Sequence, residues 1–406
     1  MKIELHVLQN FAPSNLNRDD TGAPKDCEFG GVRRARVSSQ CWKRSIREAF
    51  SAHDLFGKDT EAHLAARTKR LVDETAKILA TRGRSEDDAK RITAFALQSA
   101  KLKVDEDWKT QYLLFLPRRT IAKLADLVGA HWDTLAAAAP HATEAQEPDA
   151  EGAGKKKAKP KAEKKAAKDA VPKEVTAAVS GLLADASKTP DLALFGRMIA
   201  DNPDWNTDAA CQVAHALSTN RVTMEFDFFT AVDDFRHKEN TGSDMMGTVA
   251  FQSACFYRYA CLDVDALGAN LAGDSPSESS KLTFETVDAF LRAFALAIPT
   301  GKQNSMAAQN RPSYLLAVVR SNGAPQSLAN AFVRPIRPKD KESLVDASAS
   351  SLERYLDKSL ALWGAAGLSL FACGDVEALP SARPKRLESF DAWVAGVVAA
   401  ARGGAS

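Results

Sequence analysis

Apolar and polar positions alternate from the first residues of the chain. Ile3, Leu5 and Val7 fall on one side of IELHVL and Glu4 and His6 on the other, which predicts an opening strand near a binding surface. Residues 10–31 are polar and hold Pro13, Gly22, Pro24, Gly30 and Gly31, a pattern that predicts an irregular loop. Its length exceeds an ordinary connection, so a functional loop is expected. The period then changes to that of a helix. Ser38 and Ser39 stand before an apolar stripe of Trp42, Ile46, Ala49 and Phe50, the pattern of a capped amphipathic helix.

Ala, Leu, Lys, Glu and Asp dominate residues 53–190, predicting a mainly helical region with at most one strand, near 112–116. Residues 191–220 show little alternation and several turn formers, as an excursion from the body would. VTMEFDFFTAVDDF and TVAFQSACFYRYACLDV return to strand composition. Helices are predicted at 282–298, 350–360 and 387–398, and strands at 314–319 and 368–372. Without a regular βαβ repeat, this order is α+β rather than doubly wound. The first strand and helix should join sheet elements beyond residue 222, with the helical region inserted between them.

Composition narrows the classes. The chain has 406 residues and a net charge of +2, so affinity for nucleic acid has to come from the distribution of charge. No apolar run approaches the roughly 20 residues of a membrane span, and the opening residues lack a signal-peptide pattern. A soluble, cytoplasmic protein without a membrane partner is expected. Six scattered cysteines without C-x-x-C spacing and seven dispersed histidines predict neither disulfide scaffold, metal site nor cofactor. Residues 136–174 are lysine-rich and almost devoid of large apolar side chains, and are expected to be a disordered insertion.

The candidate chemistry concentrates in FGGVRRARVSSQCWKRSIR, residues 29–47. Arg33, Arg34 and Arg36 offer paired donors, amides near Ser39 and Gln40 open a helix, and Lys43, Arg44 and Arg47 extend the positive surface. Lys43 and Arg47 are one turn apart, where like charges repel, which suggests an external anion. The competing reading is a solvated face paired with Asp19, Asp20 and Glu28. In FGRM, residues 195–198, Met198 is read either as a wedge against a base, with Arg197 on phosphate, or as part of a local core. Lys302, Gln303, Asn304 and Arg311 form a polar loop facing RNA, a neighbouring subunit or solvent. Tyr257 and Tyr259 are read either as base-stacking or as packed under a helix. Asp19 with Asp20, or Asp233 with Asp234, are adjacent carboxylates that attract Mg²⁺ in principle, but no ligand constellation follows them. P-loop spacing and a nucleophile elbow are both missing.

LNRDD (16–20), KDCEFGG (25–31), RRARVSSQCWKR (33–44), GRM (196–198), FFTAVDD (228–234) and FYRYA (256–260) occur in the order of, and together resemble, the CasC backbone subunit of type I-E Cascade, a CRISPR-associated surveillance complex. The resemblance implies a modified RRM-like (ferredoxin-like) palm at 1–52 and 226–406, helical fingers at 53–190 and a protruding thumb at 191–225. It implies a noncatalytic subunit of antiviral defence, several copies of which form a helical filament on one CRISPR RNA. Target DNA pairs with the exposed guide segments, other Cascade subunits complete the particle, and the thumb displaces a base at regular intervals. Carried onto this chain, Met198 matches the thumb position, while Lys25, Ser38, Gln40, Lys43, Arg44 and Arg47 match palm positions that grip the guide. The expected RNA-binding set is therefore Lys25, Arg33, Arg34, Arg36, Ser38, Gln40, Lys43, Arg44, Arg47, Arg197, Met198, Lys302, Gln303 and Asn304. Val32 departs from the family pattern, where lysine can stand. The alternative reading is a metal-dependent RNA endonuclease using Asp19, Asp20 or Asp26.

Overall fold

The structure is a computed structural model that describes residues 1–58, 60–140, 171–185, 189–231, 245–273, 275–339, 341–377 and 379–403. Most of the lysine-rich insertion, and Asp233 with Asp234, lie outside the described residues. The chain forms two compact units, Met1–Thr60 with Ala209–Ser406, and Glu61–Asp208. The second boundary, at Asp208, falls within the stretch 191–225 that the resemblance assigns to a thumb.

The sheet unit opens with β1 (Lys2–Ser14), β2 (Asp26–Phe29), β3 (Val32–Val37) and α1 (Ser39–Ala52). The helical unit follows as β4 (Ala65–Thr68), α2 (Leu71–Thr81), α3 (Glu86–Ser99), β5 (Leu114–Pro117), α4 (Arg119–Ala130), α5 (Trp132–Ala138), α6 (Lys173–Ala184) and α7 (Pro190–Phe195). Its core joins Leu71, Leu79, Ile92, Leu97, Leu124, Val128, Val175 and Val179, and β4 pairs antiparallel with β5. Glu86, Asp87 and Asp88 in the first turn of α3 complement the helix dipole.

The chain returns to the sheet through β6 (Cys211–Val213), β7 (Ala216–Ser218), β8 (Glu225–Ala231) and β9 (Met245–Asp263). Then come α8 (Val264–Asn270), α9 (Pro276–Leu296), α10 (Gln303–Met306), β10 (Tyr314–Arg320), α11 (Leu344–Trp363), β11 (Leu368–Gly374), β12 (Lys385–Arg386) and α12 (Phe390–Gly403). The strand order is β12-β11-β10-β1-β9-β7-β3-β2, with β6 and β8 also on β9. On one face, Leu8, Tyr257, Tyr314 and Leu316 pack against Leu352 and Leu356 of α11. On the other, Phe11, Val37, Ala254 and Phe256 pack with Trp42 of α1.

Two expectations are corrected here, and one open alternative is decided. Strand β1 runs on to Ser14, paired with β9 through an irregularity between Phe11 and Ser14, so the polar stretch 10–31 is not all loop. Residues 26–29 are themselves a strand, joined to β3 by Gly30 and Gly31 at φ +65° and +73°. Two successive positive φ values suit a tight hairpin twisted like its strands, which explains the glycine pair. Glu4 and His6 are buried rather than facing a binding surface, because α11 covers their side of the sheet. Tyr257 packs in that same layer, its hydroxyl bonded to His6 Nδ1 (2.8 Å) and to the Leu328 amide (3.0 Å), so it is not presented for base stacking.

The burial of His6 has a consequence for stability. Burial, reinforced by the Arg320 charge, lowers its pKa to about 3, whereas an unfolded histidine titrates near 6.5. The unfolded chain thus takes up a proton that the native state refuses, and the His6 contribution, full above pH 6.5, is lost as pH falls towards 3. Between pH 7 and 5 the loss is about 2 kcal/mol. Urea midpoints of the wild type should fall accordingly, and those of His6→Gln should fall less. Parallel pH dependences would refute this assignment.

Candidate nucleic-acid interface

Helix α1 carries the cluster. The Ser38 hydroxyl accepts from the Cys41 amide (3.3 Å), and the Ser38 amide donates to Asn17 Oδ1 (2.9 Å), so the helix start is tied to the preceding loop. No acidic residue occupies its first turn, leaving the positive end of the helix without an internal counter-charge. The inner face is locked by Arg258, fully buried between the rings of Trp42 (3.7 Å) and Phe294 (4.6 Å) and bonded to Gln9 Oε1 (2.6 Å). Burial lowers the Arg258 pKa to about 9. An outward cationic face therefore rests on a rigid aromatic and guanidinium floor.

Around that terminus the side chains divide into presented and structural groups. Gln40 and Arg44 are exposed, Lys43 and Arg47 are half-buried, and Arg44 pairs with Glu48 (2.8 Å) one turn along. Arg33 is exposed and paired with Asp26. Arg36 donates to the Asp26 carbonyl (3.2 Å) and lies 3.2 Å from His215 Nδ1. His215 has its pKa lowered by burial and by the charges of Arg36 and Lys25. The Cys41 thiol, raised by burial, also feels Lys25 and Arg44. These shared influences place Lys25, Arg36 and Arg44 in one positive field. Exposed ion pairs such as Arg44 with Glu48 contribute little, about 0–1 kcal/mol, so a phosphate can replace the carboxylate.

Some of the expected RNA contacts are structural. Arg34 is 0% exposed and donates to the carbonyls of Phe29, Ser218, Thr219, Phe332 and Val333. It points inward because alternation along β3 places it opposite Arg33, beneath the sheet. Arg197 is also buried, donating to the carbonyls of Trp205 (2.6 Å), Phe115 (3.1 Å) and Ala184 (2.9 Å). Gln303 Nε2 donates to the carbonyls of Pro299 (3.0 Å) and Ala308 (3.4 Å) and braces its own loop. Ser38 is buried as the α1 cap. Lys302, half-buried, and Asn304, exposed, remain at the surface of that loop.

In the helical unit, the reading of Met198 as a core residue is overturned: it is 88% exposed. Gly196 turns the chain at φ +72°, Arg197 pairs with Thr207 across the loop and locks its base, and Met198 projects. The motif thus divides its labour differently from the expectation, with the arginine as anchor and the methionine as the presented group.

Two of the three carboxylates of the alternative nuclease reading, Asp19 and Asp26, are otherwise engaged. Asp19 Oδ1 accepts from the amides of Thr21 and Ala23 and from the Thr21 hydroxyl, bonds that lower its pKa. Asp26 faces Arg33. Among the described residues, no three His, Cys, Asp or Glu gather as a metal site. Nor is any described helix long and apolar enough to cross a membrane.

Fold and site together define an α+β protein with a rigidly mounted face chemically suited to anions. The profile of the CT1975-like protein family matches residues 3–395, and the chain belongs to that family. The chain is also similar to a solved structure described as a CRISPR RNA-guided surveillance complex, pre-nicking, at 30% identity and a TM-score of 0.81, covering 99% of this chain and 100% of the other. A second, described as a CRISPR RNA-guided surveillance complex, matches at 25% identity and a TM-score of 0.70 over 98% of this chain and 100% of its own. No curated protein matches.

Proposed function

We propose that this chain is a noncatalytic backbone subunit of a Cascade-type surveillance complex of the I-E subtype, holding CRISPR RNA for pairing with target DNA. The observation that carries the reading is α1, whose first three turns carry Gln40, Lys43, Arg44 and Arg47 and whose start is free of acidic residues, with Lys25 and Arg36 nearby. Family membership and the likeness to two structures of CRISPR RNA-guided surveillance complexes support it. In this reading the sheet unit is the RRM-like palm and the helical region the fingers. The loop bearing Met198 acts as a thumb that displaces one guide base per copy. Phosphate contacts supply affinity without sequence preference, and base pairing chooses the target. Neighbouring copies and other Cascade subunits share the guide in the cytoplasm. The engagement of Asp19 and Asp26 offers no support for the endonuclease reading.

The test is protein purified with its RNA. Copies bound per RNA should rise with RNA length, and chemical probing should show regularly spaced reactive nucleotides. Met198→Ala should abolish that periodicity while holding RNA affinity within about threefold, because electrostatic contacts provide most of the binding. One copy per RNA at protein excess, or unchanged reactivity in the variant, would overturn the proposal.

A further inference from the structure

Beneath the outward cations of α1 lies one more, and it is differently held. Arg258 of β9 is 1% exposed, with its guanidinium between the rings of Trp42 and Phe294. Its oxygen partners are two, Gln9 Oε1 and the Phe294 carbonyl, and among the described residues its Nε has none. The other fully buried arginines are better neutralised, Arg34 by five carbonyls and Arg197 by three. Arg320 and Arg386 sit against the buried carboxylates of Glu4 and Glu353. No described carboxylate pairs with Arg258, and burial alone lowers its pKa, with no neighbouring charge offsetting it.

We infer that Arg258 is a positioning residue for the anion held at α1: it touches no phosphate, but its charge adds, from beneath the helix, to the potential that Lys43, Arg44 and Arg47 supply from above. The inference rests on the proposed function, because it requires RNA at α1. Three observations carry it. First, the charge is close. Trp42 lies in the first turn of α1, and the guanidinium carbon is 3.7 Å from the centre of its ring, so a single side chain separates the cation from the helix start.

Second, the intervening medium is apolar. Phe256 shares the Arg258 face of β9, Phe11 shares the Gln9 face of β1, and both pack in one cluster with Trp42. A charge in such surroundings is screened by salt much less than one at the surface, so its field reaches further. Third, packing alone does not call for arginine. An apolar side chain would join two aromatic rings without the desolvation cost of a buried ion. Gln9 also offers a neutral acceptor where a glutamate of the same shape would cancel the charge.

That last feature supplies the test. Gln9→Glu sets a carboxylate against Arg258, whereas Gln9→Met removes the same hydrogen bonds, to Arg258 and to the Asn310 carbonyl, without adding charge. Filter binding of a labelled single-stranded RNA is followed over a salt series, with thermal melts as control. Gln9→Glu should weaken binding about fivefold, the scale of one unit charge acting over roughly 10 Å through a mixed protein and water dielectric. That factor should hold at every salt concentration, with the wild-type log–log slope, since neither a phosphate contact nor a counterion is lost. Gln9→Met should stay within about twofold of the wild type, because the charge remains. Arg258→Met, which removes the charge instead of cancelling it, should weaken binding by the same factor as Gln9→Glu and decides the matter if that variant does not fold. Equal losses in Gln9→Glu and Gln9→Met would make Arg258 a mere brace and overturn the inference. A shallower slope in Gln9→Glu would overturn it too, as the mark of a lost phosphate contact. If Lys43→Ala/Arg44→Ala/Arg47→Ala weakens binding and Gln9→Glu does not, the inference falls alone; if neither does, the proposed function falls with it.

Discussion

Arg34→Met should unfold or nearly unfold the sheet unit, whereas Arg33→Met, its immediate neighbour, should be close to neutral. Arg34 is the shared donor for carbonyls of three chain segments, Phe29 in the hairpin, Ser218 and Thr219 at the end of β7, and Phe332 and Val333 before α11. Methionine fills much of the volume but offers no donor. Each carbonyl then left buried and unsatisfied costs about 1–3 kcal/mol. Together they exceed about 5 kcal/mol, comparable with the whole stability of a typical domain. Arg33 is exposed and holds only a surface ion pair with Asp26, so its removal should change stability by less than about 1 kcal/mol. Denaturant midpoints of the soluble fraction decide the matter. Arg34→Met with a wild-type midpoint would show that these bonds are not what joins the segments.

The second large effect concerns RNA. Lys43→Ala/Arg44→Ala/Arg47→Ala should lower guide affinity about 10- to 100-fold at 0.1–0.2 M salt and make the salt slope shallower by about 2. Folding should survive, because the buried stripe of α1 is Trp42, Ser45, Ile46, Ala49 and Phe50, and none of these is altered. Filter binding over a salt series, with a thermal melt as control, reads both quantities. RNA affinity and slope identical to wild type would remove α1 from the interface and take the proposed function with it. Wild-type affinity in Gln9→Glu alone would leave this result untouched, so the two proposals can be separated.

Much of the local structure is legible in the residues. Alternation marks β1, apolar and aromatic composition marks β9, β10 and β11, and helical spacing with a serine cap marks α1, because a side chain's period, its strand preference and its capping chemistry are local properties. The hairpin at Gly30 and Gly31 was hidden by the polar residues around it. A Cβ on Gly30 would lie 1.9 Å from the Val333 carbonyl oxygen, a restriction set by a residue far along the chain. Strands β6 and β7 have three residues each, too short for any period to show. The buried charge of Arg258 escaped notice for a related reason. Its neighbours Gln9, Trp42 and Phe294 come from three separated stretches, and FYRYA by itself shows only one cation among aromatic residues.

The site shows the same division. A row of arginines in β3 looks uniform in sequence, and the strand's twofold period says only that neighbours point to opposite faces. Which face meets solvent depends on whether the segment ending at Val333 lies beneath it. Likewise FGRM contains one presented residue and one anchor, but nothing in four letters tells that Arg197 finds carbonyls at Ala184 and Trp205 while Met198 finds none of the core.

By itself, then, the amino-acid sequence determined the types and approximate limits of the long elements, the α+β class and the concentration of cations around the first helix. These follow from side-chain periodicity, capping and charge, all of which act within a few residues. Only the tertiary structure decided which cations are donors to the protein's own carbonyls and which face outward, and that Arg258 lies beneath the first helix with no described carboxylate beside it. Burial and hydrogen-bond satisfaction are settled by residues distant along the chain, which meet only once the sheet has closed over them.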